Sequence, residues 1–348
     1  MSTLKESFMR RVFLIAVLGV MAALLVCGCG QTTFTFVQMS DPQIGFRDKT
    51  PGYVHTDSLL AEAVRNVNSN IYNGYLYKDR AYKASFVIIT GDLVNDQKDA
   101  LQDSIYRANR AKIKVPVYEI PGNHDIHPWT PENHSNYLAL RGYDRFSFIY
   151  KGCAFIGIDS NCIIDAEDSN SAGSSKESNS ARSIKDSSNE NLEAGGEYKK
   201  KKTEVKNLQN AAEAEAEQLE WLTAQLQRLS KRNSPKTKVN RIFVFLHCPV
   251  ILKDIDEENG YFNFPKGKRE KYIALFKEYG VDVVFAGHTH MEYDTTAEGI
   301  RFVTAGPVGS PLGRGYSGYE VVTVSKSGIN CSYVPINGKV SILGFGGK

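Results

Sequence analysis

The sequence predicts an α/β protein in which two mixed β-sheets lie face to face with helices outside them, a four-layer αββα sandwich. First, five short apolar runs rich in β-branched and aromatic residues, Phe34 to Met39, Phe86 to Thr90, Pro116 to Ile120, Ile242 to Leu246 and Val281 to Phe285, read as buried strands. Second, amphipathic helical segments alternate with these runs, and further strand-like runs follow the last one, a pattern that calls for two packed sheets. Third, every run ends in a polar block: Asp41-Pro42-Gln43, Gly91-Asp92, Gly122-Asn123-His124-Asp125, His247-Cys248 and Gly287-His288-Thr289-His290. Ligands of open α/β folds gather outside the carboxyl ends of the strands, so the blocks are expected to share one cleft in a single catalytic domain over residues 33–340.

The elements follow in order. Lys5, Arg10 and Arg11 precede an apolar run, Val12 to Val26, that is shorter than the roughly 20 residues needed to span a bilayer, so residues 1–29 read as an export signal. Cys29, preceded by Gly28, is the better acceptor for a bacterial lipid anchor and Cys27 the second choice. The expectation is an exported, membrane-anchored lipoprotein facing the periplasm or the cell surface, against an ordinary signal peptide or an uncleaved anchor. Helices are expected over Ser58 to Ser69 and Lys98 to Ala111, and strands over Phe146 to Tyr150 and Ala154 to Ile158 around a turn at Gly152. Residues 165–207, rich in Ser and Asn and then carrying Lys199 to Lys202, hold too little apolar surface to offset ordering entropy and read as a disordered or weakly helical insertion.

Order resumes with an amphipathic helix from Ala212 to Leu229, whose Leu219, Leu222 and Leu226 share a face, and another from Lys268 to Tyr279. Arg301 to Thr304, Tyr319 to Ser325 and Asn330 to Val334 read as a closing β-meander. Cys153, Cys162, Cys248 and Cys331 are expected as buried free thiols, with Cys248 the one placed to be oxidised or to bind metal adventitiously. With 42 basic and 39 acidic residues and no sustained basic face, nothing argues for nucleic-acid binding. The oligomeric state leaves no mark on the sequence.

Asp41 and Asp92 offer carboxylates suited to hard or borderline divalent cations, Asn123 an amide oxygen, and His247, His288 and His290 imidazole nitrogens. Taken singly, each is a cap or a core residue; taken together at strand ends, they point to metal. The two histidines of Gly287-His288-Thr289-His290 project in a common direction in extended geometry, whereas a tight turn sends one imidazole to each of two metals. In Gly122-Asn123-His124-Asp125 one residue can coordinate while its neighbour moves protons. Phe46, Trp129, Tyr261 and Phe262 are candidates to wall the cleft, His127 and His134 read as loop histidines, and His55 has no assigned role.

These blocks, in this order, resemble the calcineurin-like metallophosphoesterase superfamily. Its usual first-block His is Gln43 here, and Asp-Pro-Gln, with Asp254 to Asn263 and Pro311-Leu312-Gly313-Arg314, resembles the CPPED branch, described as Ser/Thr-type protein phosphatases. The resemblance implies two divalent ions, Mn, Fe or Zn: one held by Asp41, Gln43, Asp92 and His290, the other by Asp92, Asn123, His247 and His288, with Asp92 bridging. It also implies hydrolysis of phosphate esters by a metal-bridging hydroxide, with His124 as general acid and Asp125 orienting it or bracing the turn. Gln43 is a weaker donor than imidazole and softens the first site toward Mn or Mg. Asn95-Asp96 stands where calcineurin-type phosphatases carry Asp-Arg, which leaves Arg314 as the candidate to bind the substrate phosphate. Phosphomonoesters are favoured; a phosphodiesterase or a nucleotide or sugar-phosphate hydrolase is the alternative, and a non-catalytic surface-binding lipoprotein is the alternative of another class.

Overall fold

The computed structural model describes residues 33–72, 75–76, 83–166, 208–230, 239–313 and 315–336. The predicted signal with Cys27 and Cys29, nearly all of the predicted insertion, and Arg314 lie outside the described residues. The strands are β1 (Phe34–Met39), the small hairpin β2 (Ile71–Tyr72) and β3 (Tyr75–Leu76), β4 (Ala84–Thr90), β5 (Val117–Ile120), β6 (Phe146–Tyr150), β7 (Cys153–Gly157), β8 (Arg241–Phe245), β9 (Val283–Ala286), β10 (Tyr293–Ala297), β11 (Ile300–Thr304), β12 (Gly318–Val324) and β13 (Ile329–Pro335). The helices are α1 (Val54–Ser69), α2 (Ala100–Arg110), the single turn α3 (Asn123–Ile126), α4 (Pro131–Arg141), α5 (Asn161–Asp165), α6 (Ala211–Leu229) and α7 (Lys266–Tyr279).

Two mixed sheets result, ordered β13-β12-β1-β4-β5 and β10-β11-β9-β8-β7-β6. Alternation along the strands builds the layers, because successive side chains face opposite sides. Phe34 and Phe36 of β1, Phe86 and Ile88 of β4, Phe148 and Phe155 of β6 and β7, Phe243 and Phe245 of β8 and Phe285 of β9 meet between the sheets. Their alternates, such as Val37, Met39, Val87, Ile89, Ile242 and Val244, face the helices. Phe36 alone stacks on Phe86 at 5.3 Å and meets Phe155, Phe245 and Phe285 edge-on. A phenylalanine buried this fully contributes about 2–3 kcal/mol.

The strands that matter for the site are parallel. β1, β4 and β5 run together in one sheet and β7, β8 and β9 in the other. All five polar blocks therefore emerge at carboxyl ends on one rim of the sandwich, as predicted. The first two turns stay paired beyond their strands: Asp41 N donates to the Gly91 carbonyl at 3.2 Å and Gln43 N to the Asp92 carbonyl at 2.8 Å.

Two expectations about the fold are corrected, and one strand is added. The closing strands form no single meander, because β11 runs parallel to β9 while the β12–β13 hairpin crosses to the other sheet and pairs antiparallel with β1. β10, which the sequence reading left out, instead pairs with β11 at an edge, where its residues are half-buried or exposed and carry little apolar signal. His134 is not a loop histidine: it lies in α4, whose buried positions are His134, Tyr137, Leu138 and Arg141. That spacing is helical, but two of the four residues are polar, so the apolar period is hidden. Its caps were nonetheless legible, with the Thr130 side chain accepting from Asn133 N, Pro131 in the first turn and Gly142 left-handed at the end.

Candidate metal centre

Each block supplies its side chain from a turn that the backbone holds tightly. Asp41, Gln43, Asp92, His288 and His290 all have positive φ, between 35° and 70°. Non-glycine residues rarely adopt this conformation, and such strain concentrates at functional sites. His288 and His290 therefore do not extend in a common direction; Thr289 N turns back onto the Gly287 carbonyl at 2.7 Å, and the two imidazoles part.

They part toward two groups. The candidate ligand atoms of Asp92, His247 and His288 lie within 4.8 Å of one another, and so do those of Asp41, Asp92 and His290. Asp92 belongs to both. Asn123 joins the first group through its Oδ1, 3.0 Å from His247 Nε2, and Gln43 joins the second, its Nε2 donating to Asp92 Oδ2 at 3.3 Å. All six of the carboxylates, imidazoles and the glutamine are buried.

Main-chain carbonyls choose the imidazole tautomers, because a carbonyl can only accept. His247 Nδ1–H donates to the Thr90 carbonyl at 2.7 Å, His290 Nδ1–H to the Ser310 carbonyl at 2.7 Å, and His288 Nε2–H to the Tyr261 carbonyl at 2.9 Å. The remaining nitrogens of neutral rings are lone pairs. His247 Nε2 then faces Asp92 Oδ1 at 3.3 Å, and His290 Nε2 faces Asp41 Oδ1 at 3.3 Å. Asp41 Oδ1 and Gln43 Oε1 are buried with no hydrogen-bond donor. Acceptors turned toward acceptors in a buried site fit a cation between them, and this donor set of oxygen and imidazole nitrogen suits a hard or borderline divalent ion.

A proton on the imidazole is the alternative to a cation for satisfying the carboxylate that faces it, and the electrostatics show how strongly each carboxylate calls for one or the other. Burial works against the charged His247, yet the Asp92 carboxylate beside it lifts its pKa to about 10. Burial likewise opposes ionisation of Asp92 and Asp41, but the facing His247 and His290 hold both carboxyls below the usual range. Burial and the neighbouring His247 push His288 down to about 4, which keeps it a neutral donor.

His124 stands beside both groups without belonging to either. Its Nδ1 donates to the Asn95 carbonyl at 2.8 Å and its backbone N–H to Asp92 Oδ1 at 2.8 Å. The expected acid partner is absent from the sequence, and a main-chain carbonyl takes its place. Asp125 braces the turn, accepting from Gly122 N at 2.8 Å and Leu93 N at 3.1 Å. Behind the turn, buried Asn161 donates to the Gly122 carbonyl at 3.1 Å and to Asp159 at 2.8 Å. Tyr261 meets the site twice, through its carbonyl on His288 and through its hydroxyl, 3.2 Å from Asn123 Nδ2.

The roles of the Thr90, Ser310 and Asn95 carbonyls leave no mark on the sequence, because a carbonyl acceptor carries no residue-type signal, and Asn161, which acts through its side-chain NH2, lies in a short helix with no clear sequence period. Among the candidate wall residues, Phe46 lies 5.0 Å from His290 and Phe262 5.4 Å from His288, whereas Trp129 is buried in the core against His134. Cys248 is buried, its thiol pushed up by burial, and it is outside both candidate groups. Cys153, Cys162 and Cys331 are buried thiols outside any disulfide among the described residues, as expected.

A two-sheet sandwich with carboxylates, amides and imidazoles converging at its strand ends has the layout of a metal-dependent hydrolase. The calcineurin-like phosphoesterase profile matches residues 34–292. A serine/threonine-protein phosphatase CPPED1 from Danio rerio is 27% identical over 316 residues, covering 85% of this chain and 82% of the relative. The fold is similar to a dimetal phosphatase from Danio rerio (TM-score 0.53, 17% identity, 87% of this chain and 96% of that one). It is also similar to a purple acid phosphatase from Lupinus luteus (TM-score 0.56, 14% identity, 90% of this chain and 53% of that one). The chain belongs to the calcineurin-like phosphoesterase family and is a phosphoester hydrolase.

Proposed function

We propose that the protein is a two-cation phosphomonoesterase of the Ser/Thr protein phosphatase type, with one cation held by Asp41, Gln43, Asp92 and His290 and the other by Asp92, Asn123, His247 and His288. The observation that carries this reading is the pair of buried acceptor groups sharing Asp92. Two divalent cations there would supply Lewis acidity toward the phosphoryl oxygens and activate water at neutral pH. The chain's own residues do the rest. The Asn95 carbonyl fixes the His124 ring through Nδ1–H, so Nε2 is the nitrogen that gives a proton to the leaving ester oxygen. Asp125 holds the turn that carries Asn123 and His124. Arg314, four residues beyond the Ser310 carbonyl that orients His290, is assigned to the substrate phosphate.

The preference for monoesters is supported by the likeness to the Danio rerio CPPED1 phosphatase. The test is a panel on protein stripped with chelator and reloaded with Mn2+, Fe2+ or Zn2+. Reloading is expected to restore hydrolysis of p-nitrophenyl phosphate and of a phosphoserine peptide. Faster turnover of bis-p-nitrophenyl phosphate than of the monoester would establish the phosphodiesterase instead; a nucleotide or sugar phosphate outrunning the phosphopeptide would move the substrate to that class. No turnover with any metal would leave a surface-binding protein on this fold.

We further propose export and lipid attachment at Cys29, supported by the charged and apolar leader and by Gly28 before the acceptor. Among the described residues, no helix is long and apolar enough to cross a membrane. Radiolabelled palmitate entering the wild-type chain but not Cys29→Ala tests it, and labelling that persists in Cys29→Ala and is lost in Cys27→Ala points to Cys27.

A further inference from the structure

Tyr261 is 67% exposed, an unusual place for a residue with two hydrogen bonds into a buried site. The loop beneath it is nevertheless fixed. Fully buried Arg269 donates to the carbonyls of Ile255, Glu257 and Phe264, and Asn263 ties Gly260 N, Glu257 and the Glu258 carbonyl together. Phe264 N closes the loop onto the Pro249 carbonyl at 3.0 Å, next to the His247-Cys248 block.

From this platform Tyr261 bonds two members of the site. An asparagine amide presents an oxygen on one side and an NH2 on the other, and only the oxygen can ligate a metal. The Tyr261 hydroxyl accepts from Asn123 Nδ2 at 3.2 Å and so holds the amide with Oδ1 on the His247 side. The Tyr261 carbonyl accepts from His288 Nε2–H at 2.9 Å, which leaves Nδ1 as the lone-pair nitrogen. One loop residue thus orients two members of the Asp92–Asn123–His247–His288 group and none of the other group. We propose that Tyr261 is a positioning residue for the second cation, holding the amide of Asn123 in its ligating orientation and fixing the ligating nitrogen of His288. This rests on reading that group as a cation site.

The test is a double-mutant cycle read by metal affinity. Wild type, Tyr261→Phe, Asn123→Asp and the double variant are titrated with Mn2+ by calorimetry, with bound Mn2+ counted by electron paramagnetic resonance. Loss of such an outer contact typically costs 10–100-fold in affinity, so Tyr261→Phe is expected to weaken one Mn2+ equivalent by about tenfold and spare the other. Aspartate at position 123 has no NH2 for the hydroxyl to hold and binds a cation through its charge from either oxygen. In the Asn123→Asp background the loss from Tyr261→Phe is therefore expected to shrink to about twofold. An unchanged Mn2+ affinity in Tyr261→Phe, or the same loss in both backgrounds, overturns the proposal. Wild-type protein binding fewer than two Mn2+ equivalents overturns instead the two-cation reading on which it stands.

Discussion

Gly122→Ala isolates the close packing on which the site depends. Gly122 has φ of −102°, which any residue adopts, so the substitution adds no backbone strain. It adds only a methyl group, and a Cβ there would lie 2.1 Å from Asp92 N, 2.2 Å from Asp92 Oδ1 and 2.9 Å from Asp92 Cα. Two of those atoms are main chain of the turn after β4, which is tied to the Gln43 turn by a backbone hydrogen bond, so no side-chain rotation relieves the collision. The block must move away from Asp92, which also stretches the His124 N to Asp92 Oδ1 bond of 2.8 Å and the Asn161 bond to the Gly122 carbonyl. Overpacking of this kind costs about 1–3 kcal/mol, and the main-chain contacts put this case near 3. The control is Gly267→Ala in the first turn of α7, where a Cβ meets nothing within 4 Å. There the same chemical change is expected to stabilise, by about 0.5–1 kcal/mol, through lower unfolded-state entropy. Urea unfolding gives both stabilities, and Mn2+-supported hydrolysis of p-nitrophenyl phosphate gives the functional effect, expected as a loss of at least about a hundredfold in Gly122→Ala because sub-ångström placement governs such chemistry. Wild-type stability and turnover in Gly122→Ala would refute the reasoning, since the block would then have slack that the geometry denies it.

Two further outcomes concern stability away from the cleft. Arg141 pairs with Asp103 at 2.6 Å with both side chains nearly excluded from water, so Asp103→Ala leaves a buried charge without its partner and is expected to cost about 3 kcal/mol in urea unfolding; a loss below about 1 kcal/mol would show that the guanidinium finds another acceptor. Burial works against protonated His134, yet Asp144, 2.8 Å away, raises its pKa above the ordinary 6.5, so this contribution to stability is complete below about pH 6.5 and fades as pH climbs through the raised value. The difference in urea midpoint between wild type and His134→Gln should therefore narrow from pH 6 to 9, and parallel curves across that range would rule the pair out as its source.

How much of this was legible follows from what each residue is. The five strand-end blocks announced themselves because carboxylate, amide and imidazole after an apolar run is a rare conjunction in chain and in chemistry alike. The sandwich was legible for the same reason, since Phe34, Phe36, Phe243 and Phe245 alternate with residues that face the helices. What stayed hidden depends on partners rather than residue types. α4 hid because His134 and Arg141 occupy its buried face and find Asp144 and Asp103 there. The sheet change between β11 and β12 hid because either sheet offers a similar apolar edge. The sequence reading took Asn95 as a loss, the replacement of an acid that should steady His124. The structure turns it into an indifferent position, because the backbone oxygen at 2.8 Å does the steadying whatever side chain stands there.

The same logic separates the two candidate cation groups more sharply than the Gln43 substitution does. Every imidazole in them is oriented by a main-chain carbonyl, but the carbonyls differ in origin. Those of Thr90 and Ser310 belong to the sandwich itself, one closing β4 and the other lying in the segment between β11 and β12, and they hold His247 and His290. That of Tyr261 belongs to the long connection between β8 and α7, and it holds His288. The Asp41–Gln43–Asp92–His290 group is therefore built wholly by the fold, although Gln43 gives it the weaker donor. The other group keeps the stronger donors but takes the orientation of two of them from an exposed loop residue. Donor strength and rigidity are thus divided between the two groups, and a substitution in the loop tests one of them without disturbing the sheets that make both.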